Sequence, residues 1–257
     1  MRIVFLFLLC VFHSWLLAQK SIRDSTIHFF YGQVVYKGCN PGADLATRFG
    51  FTSLIGAEVG YKFKNNIYIG AGGFFLFGEK VKEMQHLNHL AAPLPYGTIA
   101  FIANDGSLFL PIFEQRGYAI HLSTGYIWNR FRFSSHNPNS GIFIELGAQW
   151  LTHQIAISLP MGMEATYLNS NYRKGYDRLT SGVGIRQNVG YRYWGNKRFV
   201  NFFIGLEGSI NFTQNQRSIN FDTGKADTTL RTDILYGFSV GWALPIYKVA
   251  PEKYYYY

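Results

Sequence analysis

Residues 234–247 read Ile-Leu-Tyr-Gly-Phe-Ser-Val-Gly-Trp-Ala-Leu-Pro-Ile-Tyr. One alternate set of positions is Tyr236, Phe238, Val240, Trp242 and Leu244, all large and apolar. The other is Leu235, Gly237, Ser239, Gly241 and Ala243, mostly small. A period of two with the bulk on one face is a strand pattern, not a helical one. The stretch exceeds the ~5–6 residues of an ordinary globular strand. It reaches the ~9–11 residues that a tilted strand needs to cross a bilayer. Near the end of the chain, it is placed to pair with the first strand and close a barrel.

Working outward, similar aromatic-rich alternating segments recur at 26–36, 49–63, 66–78, 117–132, 141–158, 179–194, 199–213 and 232–247. They predict an all-β, antiparallel, up-and-down transmembrane barrel of about eight strands, the even number expected of small bacterial barrels. The short connections are 64–65, 133–140 (with the turn string Asn137-Pro138-Asn139-Ser140-Gly141) and 195–198. The long ones are 37–48, 79–116, 159–178 and 214–231. Long and short alternate, as outer-membrane barrels alternate external loops with periplasmic turns. On that reading both termini are periplasmic. The first segment alternates worst.

Before the barrel, residues 1–18 carry Arg2, an apolar run and a small residue, Ala18, ahead of Gln19. This predicts a cleaved signal peptide; the run falls short of the ~20 residues of a spanning helix. The barrel then occupies 19–247. Cleavage leaves Cys39 as the one cysteine, so no intrachain disulfide forms. It removes Arg2 and no acid, taking the formal charge from +9 to +8. Export and the lack of a dense Lys/Arg cluster argue against nucleic acid. Aromatic residues make up 18% of the chain and charged ones 15%. That balance, with a mean hydropathy of −0.01, suits apolar outward positions alternating with polar inward ones, and makes outer-membrane lipid the expected surroundings.

The large 79–116 loop is too apolar for plain solvent loop. Val81, Met84, Leu87 and Leu90 have helical spacing, and Asn104-Asp105-Gly106 between apolar runs signals a hairpin. A short helix and a hairpin above the barrel are expected, with an ordered loop lacking a partner as the alternative. In the first loop, Asn40 as N-cap, Pro41, early Asp44 and late Arg48 outline a second short helix.

Alternation sorts the wall. With the large apolar residues outward, Glu58, His121, Ser123, Glu145, Gln149, His153, Arg186, Asn188, Arg192, Glu207, Ser209 and Asn211 turn inward. Glu58, His121, Glu145, Gln149, Arg186, Asn188, Arg192 and Glu207 form the candidate lumenal polar network. Opposite charges in so narrow a space pair, because an unpaired one costs several kcal/mol. Two readings stand: an ion-paired plug, or a proton or ion path. At the short-turn end Lys62, Lys64, Arg130, Arg132, Lys197, Arg198 and Lys248 form a basic rim, suited to inner-leaflet phosphates or to an acidic partner.

No metal, cofactor or catalytic set emerges. No His-Glu-x-x-His, Cys-x-x-Cys or Gly-Lys-Ser/Thr string occurs. The Gly-rich pieces at 70–73 and 182–184 lie inside strand patterns and read as room for neighbours. His153, Ser158 and Glu164 are a weak candidate set for a lipid-modifying or proteolytic site near the outer rim, and His86 with His89 a weak metal pair. The tail 248–257 passes Pro251, which cannot continue a ladder, and ends in four tyrosines that could dock under the barrel or on a partner.

The Ala-Gln leader junction, the Asn-Pro-Asn-Ser-Gly turn, Lys-Gly-Tyr-Asp-Arg-Leu-Thr-Ser-Gly at 174–182 and Leu-Pro-Ile-Tyr-Lys at 244–248 resemble small outer-membrane barrels of Bacteroidota. Such barrels include accessory subunits of the type IX secretion and barrel-assembly machines. The resemblance implies a non-enzymatic scaffold or accessory subunit, contacting other envelope proteins through the 79–116 loop, the barrel wall or the periplasmic rim. The alternatives are a narrow ion or solute channel and a lipid-modifying enzyme.

Overall fold

The computed structural model describes residues 25–93, 99–130, 137–195 and 199–246. The expected leader and the tetra-tyrosine tail lie outside the described residues. In chain order the strands are β1 (Phe29–Gly42), β2 (Thr52–Lys62), β3 (Ile67–Gly78), β4 (Ala92–Pro93), β5 (Ile99–Ile102), β6 (Leu108–Phe109), β7 (Ile112–Trp128), β8 (Gly141–Ser158), β9 (Thr180–Trp194), β10 (Asn201–Asn215) and β11 (Leu230–Ile246). Eight of them close an antiparallel barrel in the order β1-β11-β10-β9-β8-β7-β3-β2, and β4, β5 and β6 form a small separate sheet. Each barrel strand pairs with its chain neighbour, and β1 closes on β11 from Phe30↔Ile246 to Gly42↔Ile234. In the closing strand Leu235, Ser239 and Ala243 are buried while Tyr236, Phe238 and Trp242 are exposed.

The outer wall carries Val34, Val59, Leu122, Ile144, Ile185 and Leu206 in the open. Apolar surface of this extent is not left in water. On β7 it is bounded by Tyr118 toward the loops and Trp128 toward the short turns. Ten residues of tilted strand between them span ~25 Å, the height of a bilayer-facing band with aromatic girdles. No helix among the described residues is long and apolar enough to cross a membrane; the strands do the crossing.

Three expectations are corrected. β1 runs six residues beyond 36, through the supposed loop. Pro41 is tolerated there because β2 pairs with β1 only as far as Cys39↔Thr52, so Pro41 meets β11 alone, opposite Leu235. The helix Ala43–Arg48 does form, but Gly42 holds its N-cap position without a side-chain cap; Asn40 is in the strand. The first loop therefore shrinks to 43–51, and the strict alternation of long and short connections lapses there. In the 79–111 loop a 3-10 helix spans Gln85–Leu90. It starts later than the spacing predicts, because Val81 bridges Phe49 and the backbone of residues 80–82 is bonded to the first loop. The hairpin forms around Gly106, whose φ of +84° suits glycine. Tyr167 Oη donates to the Ile102 carbonyl at 2.8 Å and ties this cap to the third loop.

Candidate functional site

The barrel interior is built from the inward halves of the alternating strands, and every residue of the expected lumenal network is buried there. At mid-height, Lys37 Nζ donates to Glu207 Oε1 at 2.6 Å. Arg186 Nη1 contacts Glu145 Oε1 at 2.5 Å and its Nη2 contacts Glu207 Oε2 at 3.3 Å. Gln33 Nε2 donates to Glu58, and His121 Nε2 stands 3.3 Å from Glu58 Oε1. Gly72 leaves space for that pair: a Cβ there would sit 2.5 Å from Glu58 Cγ. Gln149 Nε2 donates to Asn211 Oδ1 at 3.1 Å, and Asn188 Nδ2 to Ser239 Oγ at 2.9 Å. Toward the loops, His153 Nε2 meets Asp233 Oδ2 at 2.8 Å, which also accepts from Thr213 Oγ1 at 2.6 Å.

Arg192 stands apart. It makes no ion pair among the described residues and is enclosed by rings instead. Its Cζ lies 4.7 Å from the Tyr68 ring centre, 4.9 Å from Phe203, 5.1 Å from Phe143, 5.5 Å from Tyr31 and 5.8 Å from Trp194. Each such contact is worth ~0.5–2 kcal/mol. Gly125 lets the Tyr68 ring lie flat on the wall; a Cβ would come within 2.3 Å of it. Acids Glu58, Glu145 and Glu207 thus share one lumen with cations Lys37, Arg186 and Arg192, and bulky rings fill the end nearest the short turns.

Of the basic rim, Lys64 and Arg130 are exposed. Lys64 shares a surface pocket of about 380 Å³ with His28, Tyr61, Phe63 and Asn65. Arg132, Lys197, Arg198 and Lys248 lie outside the described residues. Lys62 is a correction. Its place in the strand turns it inward, fully buried, where Nζ donates to Asn139 Oδ1 at 2.9 Å and to the Ile27 carbonyl at 3.2 Å. It stoppers the barrel end rather than facing head groups.

At the loop end one acid joins three loops. Glu83 takes Arg48 Nε at 2.8 Å from the first loop and Arg178 Nε at 3.3 Å from the third. Arg178 Nη2 reaches Asp222 Oδ2 of the fourth at 2.7 Å. Arg178 adopts φ +51°, a backbone cost that these pairs offset. Arg217 of the fourth loop clamps Asp177 of the third. His86 is buried beneath this cluster. Its imidazole is pushed below the usual range, first by burial and then by the Arg178 guanidinium. His89 instead meets Tyr176 Oη at 3.2 Å, so the two histidines do not converge on one point.

His153, Ser158 and Glu164 do not converge either: His153 is committed to Asp233, and Ser158 is five residues further along β8, ~16 Å away. The sequence also contains a Gly-x-Ser-x-Gly string, 237–241, hidden inside the strand pattern that decides the fold. Ser239 lies mid-strand, buried and bonded to Asn188, not on the strand-to-helix elbow such a nucleophile needs. Sequence reasoning missed Lys37, Gln33 and Asp233. Lys37 was hidden by the loop-like Asn40-Pro41, and Gln33 by a strand whose inner face is itself aromatic.

Solved structures with a similar outline include Neisserial surface protein A (TM-score 0.37, 14% identity, 83% of this chain and 96% of that one). The N-terminal β-barrel domain of OprF from Pseudomonas aeruginosa aligns with TM-score 0.35 and 10% identity, over 83% of this chain and 97% of that one. Ail, the attachment invasion locus protein of Yersinia pestis, solved with the heparin analogue sucrose octasulfate, aligns with TM-score 0.37 and 9% identity, over 84% and 99%. Likenesses this distant carry no functional argument, and the architecture rests on the strand pairings themselves. No protein-family model and no curated protein matches the chain.

Proposed function

We propose that this chain is an outer-membrane β-barrel that does not conduct and serves as a scaffold or accessory subunit of an envelope complex, in protein secretion or outer-membrane assembly. The observation that carries the reading is the filled lumen. The Lys37–Glu207–Arg186–Glu145 chain occupies its middle, the Arg192 ring cage one end, and ion-paired loops cover the other. Eight strands leave room for side chains and little more. With the interior committed to packing, the surfaces left for work are the cap, the wall and the basic rim. The short turns and both termini face the periplasm in this reading, with Lys64 and Arg130 toward inner-leaflet phosphates.

Purified protein in planar bilayers is expected to give no conductance steps. A mild-detergent pull-down of the tagged chain from native membranes is expected to bring stoichiometric envelope proteins. Steady single-channel currents, or a barrel that comes out with no other envelope protein, overturn the proposal.

A further inference from the structure

Several polar side chains on the lipid-facing wall bond locally. Thr124 Oγ1 donates to the Tyr68 carbonyl at 3.2 Å, Tyr36 Oη and Ser53 Oγ are 3.0 Å apart, and Trp150 Nε1 donates to Thr152 Oγ1 at 3.1 Å. Trp242 Nε1 donates to the Phe199 carbonyl at 2.8 Å. Gln187 differs. It points outward from β9 between Ile185 and Val189 and is exposed. Across the ladders it stands opposite Leu146 on β8 and Gly208 on β10. Its side-chain amide has no hydrogen-bond partner among the described residues. Leu146 in turn faces Thr124 on β7, four residues from the girdle residue Trp128, which puts Gln187 ~10 Å inside the apolar band.

An amide left unpaired in hydrocarbon costs several kcal/mol. Lipid tails offer it nothing, and water does not reach that depth. We infer that the β8–β10 wall is a homodimer contact within the membrane, in which Gln187 of one copy pairs with Gln187 of a second. This inference rests on the lipid-facing wall of the function proposed above. Three features select a second copy over another protein. An amide carries both a donor and an acceptor, so a two-fold axis beside it makes two matching hydrogen bonds with no other complementary residue required. Gly208 leaves a shallow notch next to it: a Cβ there would meet only Gln187, with Nε2 at 3.6 Å, so a second wall can approach closely, as small residues permit in membranes. The surround of Leu146, Ile185, Val189, Leu206 and Ile210 is exposed and apolar, and supplies the packing on both sides of the axis.

The test is energy transfer between donor- and acceptor-labelled copies in liposomes across a range of protein-to-lipid ratios. Labels go on an introduced Met161→Cys, a fully exposed loop site; Cys39 is buried. Specific transfer is expected for the parent chain. Gln187→Leu, which keeps the bulk and removes the amide, is expected to weaken association about five- to tenfold. Gly208→Val, which fills the notch, is expected to weaken it by holding the two walls apart. Insertion is scored separately by liposome flotation. A chain that does not float overturns the lipid-facing reading and this contact with it. A floating chain that shows only random-proximity transfer, or a dimer indifferent to Gln187→Leu, overturns the contact and leaves the barrel reading standing. A barrel that is monomeric alone but captures a different protein through Gln187 also overturns the second-copy assignment.

Discussion

At the residue scale, Glu207 is the most connected acid of the lumen, shared by Lys37 and Arg186. Removing one partner of a buried charge set leaves the others uncompensated and costs ~3–5 kcal/mol. Glu207→Ala is therefore expected to lower the barrel's unfolding free energy by about that much, read from urea unfolding in lipid vesicles. The double substitution Glu207→Leu with Lys37→Met is expected to recover most of the loss, since matched apolar groups replace an ion pair at little net cost. Recovery no better than the single variant would show that packing around Glu207, not its charge, sets the stability. Arg192 obeys a different rule. Its stabilisation comes from ring faces, so Arg192→Lys, with a compact ammonium and no planar stacking surface, is not a conservative change.

At the element scale, the 3-10 helix Gln85–Leu90 inserts His86 and Leu87 under the ion-paired loops. The His86 pKa is depressed by burial and by Arg178, so the folded cap favours the neutral ring. Its contribution is complete above the unfolded histidine value of ~6.5 and declines as pH falls below it. Protection factors in residues 85–90, taken relative to the intrinsic exchange rate at each pH, are expected to fall between pH 7.5 and pH 5, with those of the barrel strands unchanged. His86→Leu should remove the pH dependence; persistence of the loss of protection would assign it to another group. In the fourth loop, burial raises the Asp227 pKa, but Arg231 and Thr229 outweigh it and hold the carboxyl at about 2. Asp227 thus stays ionised across that range and does not contribute to the change.

At the scale of the whole molecule, the architecture was legible because strand and turn signals agree along most of the chain. β8 spans the expected 141–158 to the residue, since a Pro-Asn-Ser-Gly turn starts it and the alternation of residues 144–150 carries its middle. Glu58, Glu145 and Glu207 followed from parity alone, whereas Asp233 did not. What stayed illegible required three dimensions. Lys62 has the right parity to point inward but reads as rim by its place in the chain; only the approach of Asn139 from a distant turn makes burial affordable. The ring cage defeats parity from the other side, since Tyr31, Phe143 and Phe203 are apolar residues on the inner face. The ion-paired roof over the barrel joins loops far apart in sequence, and no local pattern announces it.

The seam between β1 and β11 pairs Phe30 with Ile246, and so joins the two ends of the described chain. Every other barrel ladder joins strands that follow one another around the barrel; this one carries the greatest sequence separation in the fold and the largest loop-closure entropy. Until it zips, the sheet has two open edges, each a template for pairing with other chains. A nascent chain halted before residue 230 would own seven strands and no way to hide either edge in lipid. Deleting residues 230–246 is therefore expected to yield aggregate rather than a smaller barrel, scored as loss of protease-resistant, membrane-integrated protein; a stable inserted seven-stranded product would show that the seam is dispensable. Completion of the last strand is thus the checkpoint of assembly, and the strand whose sequence declares the fold is also the one that decides whether the fold is reached.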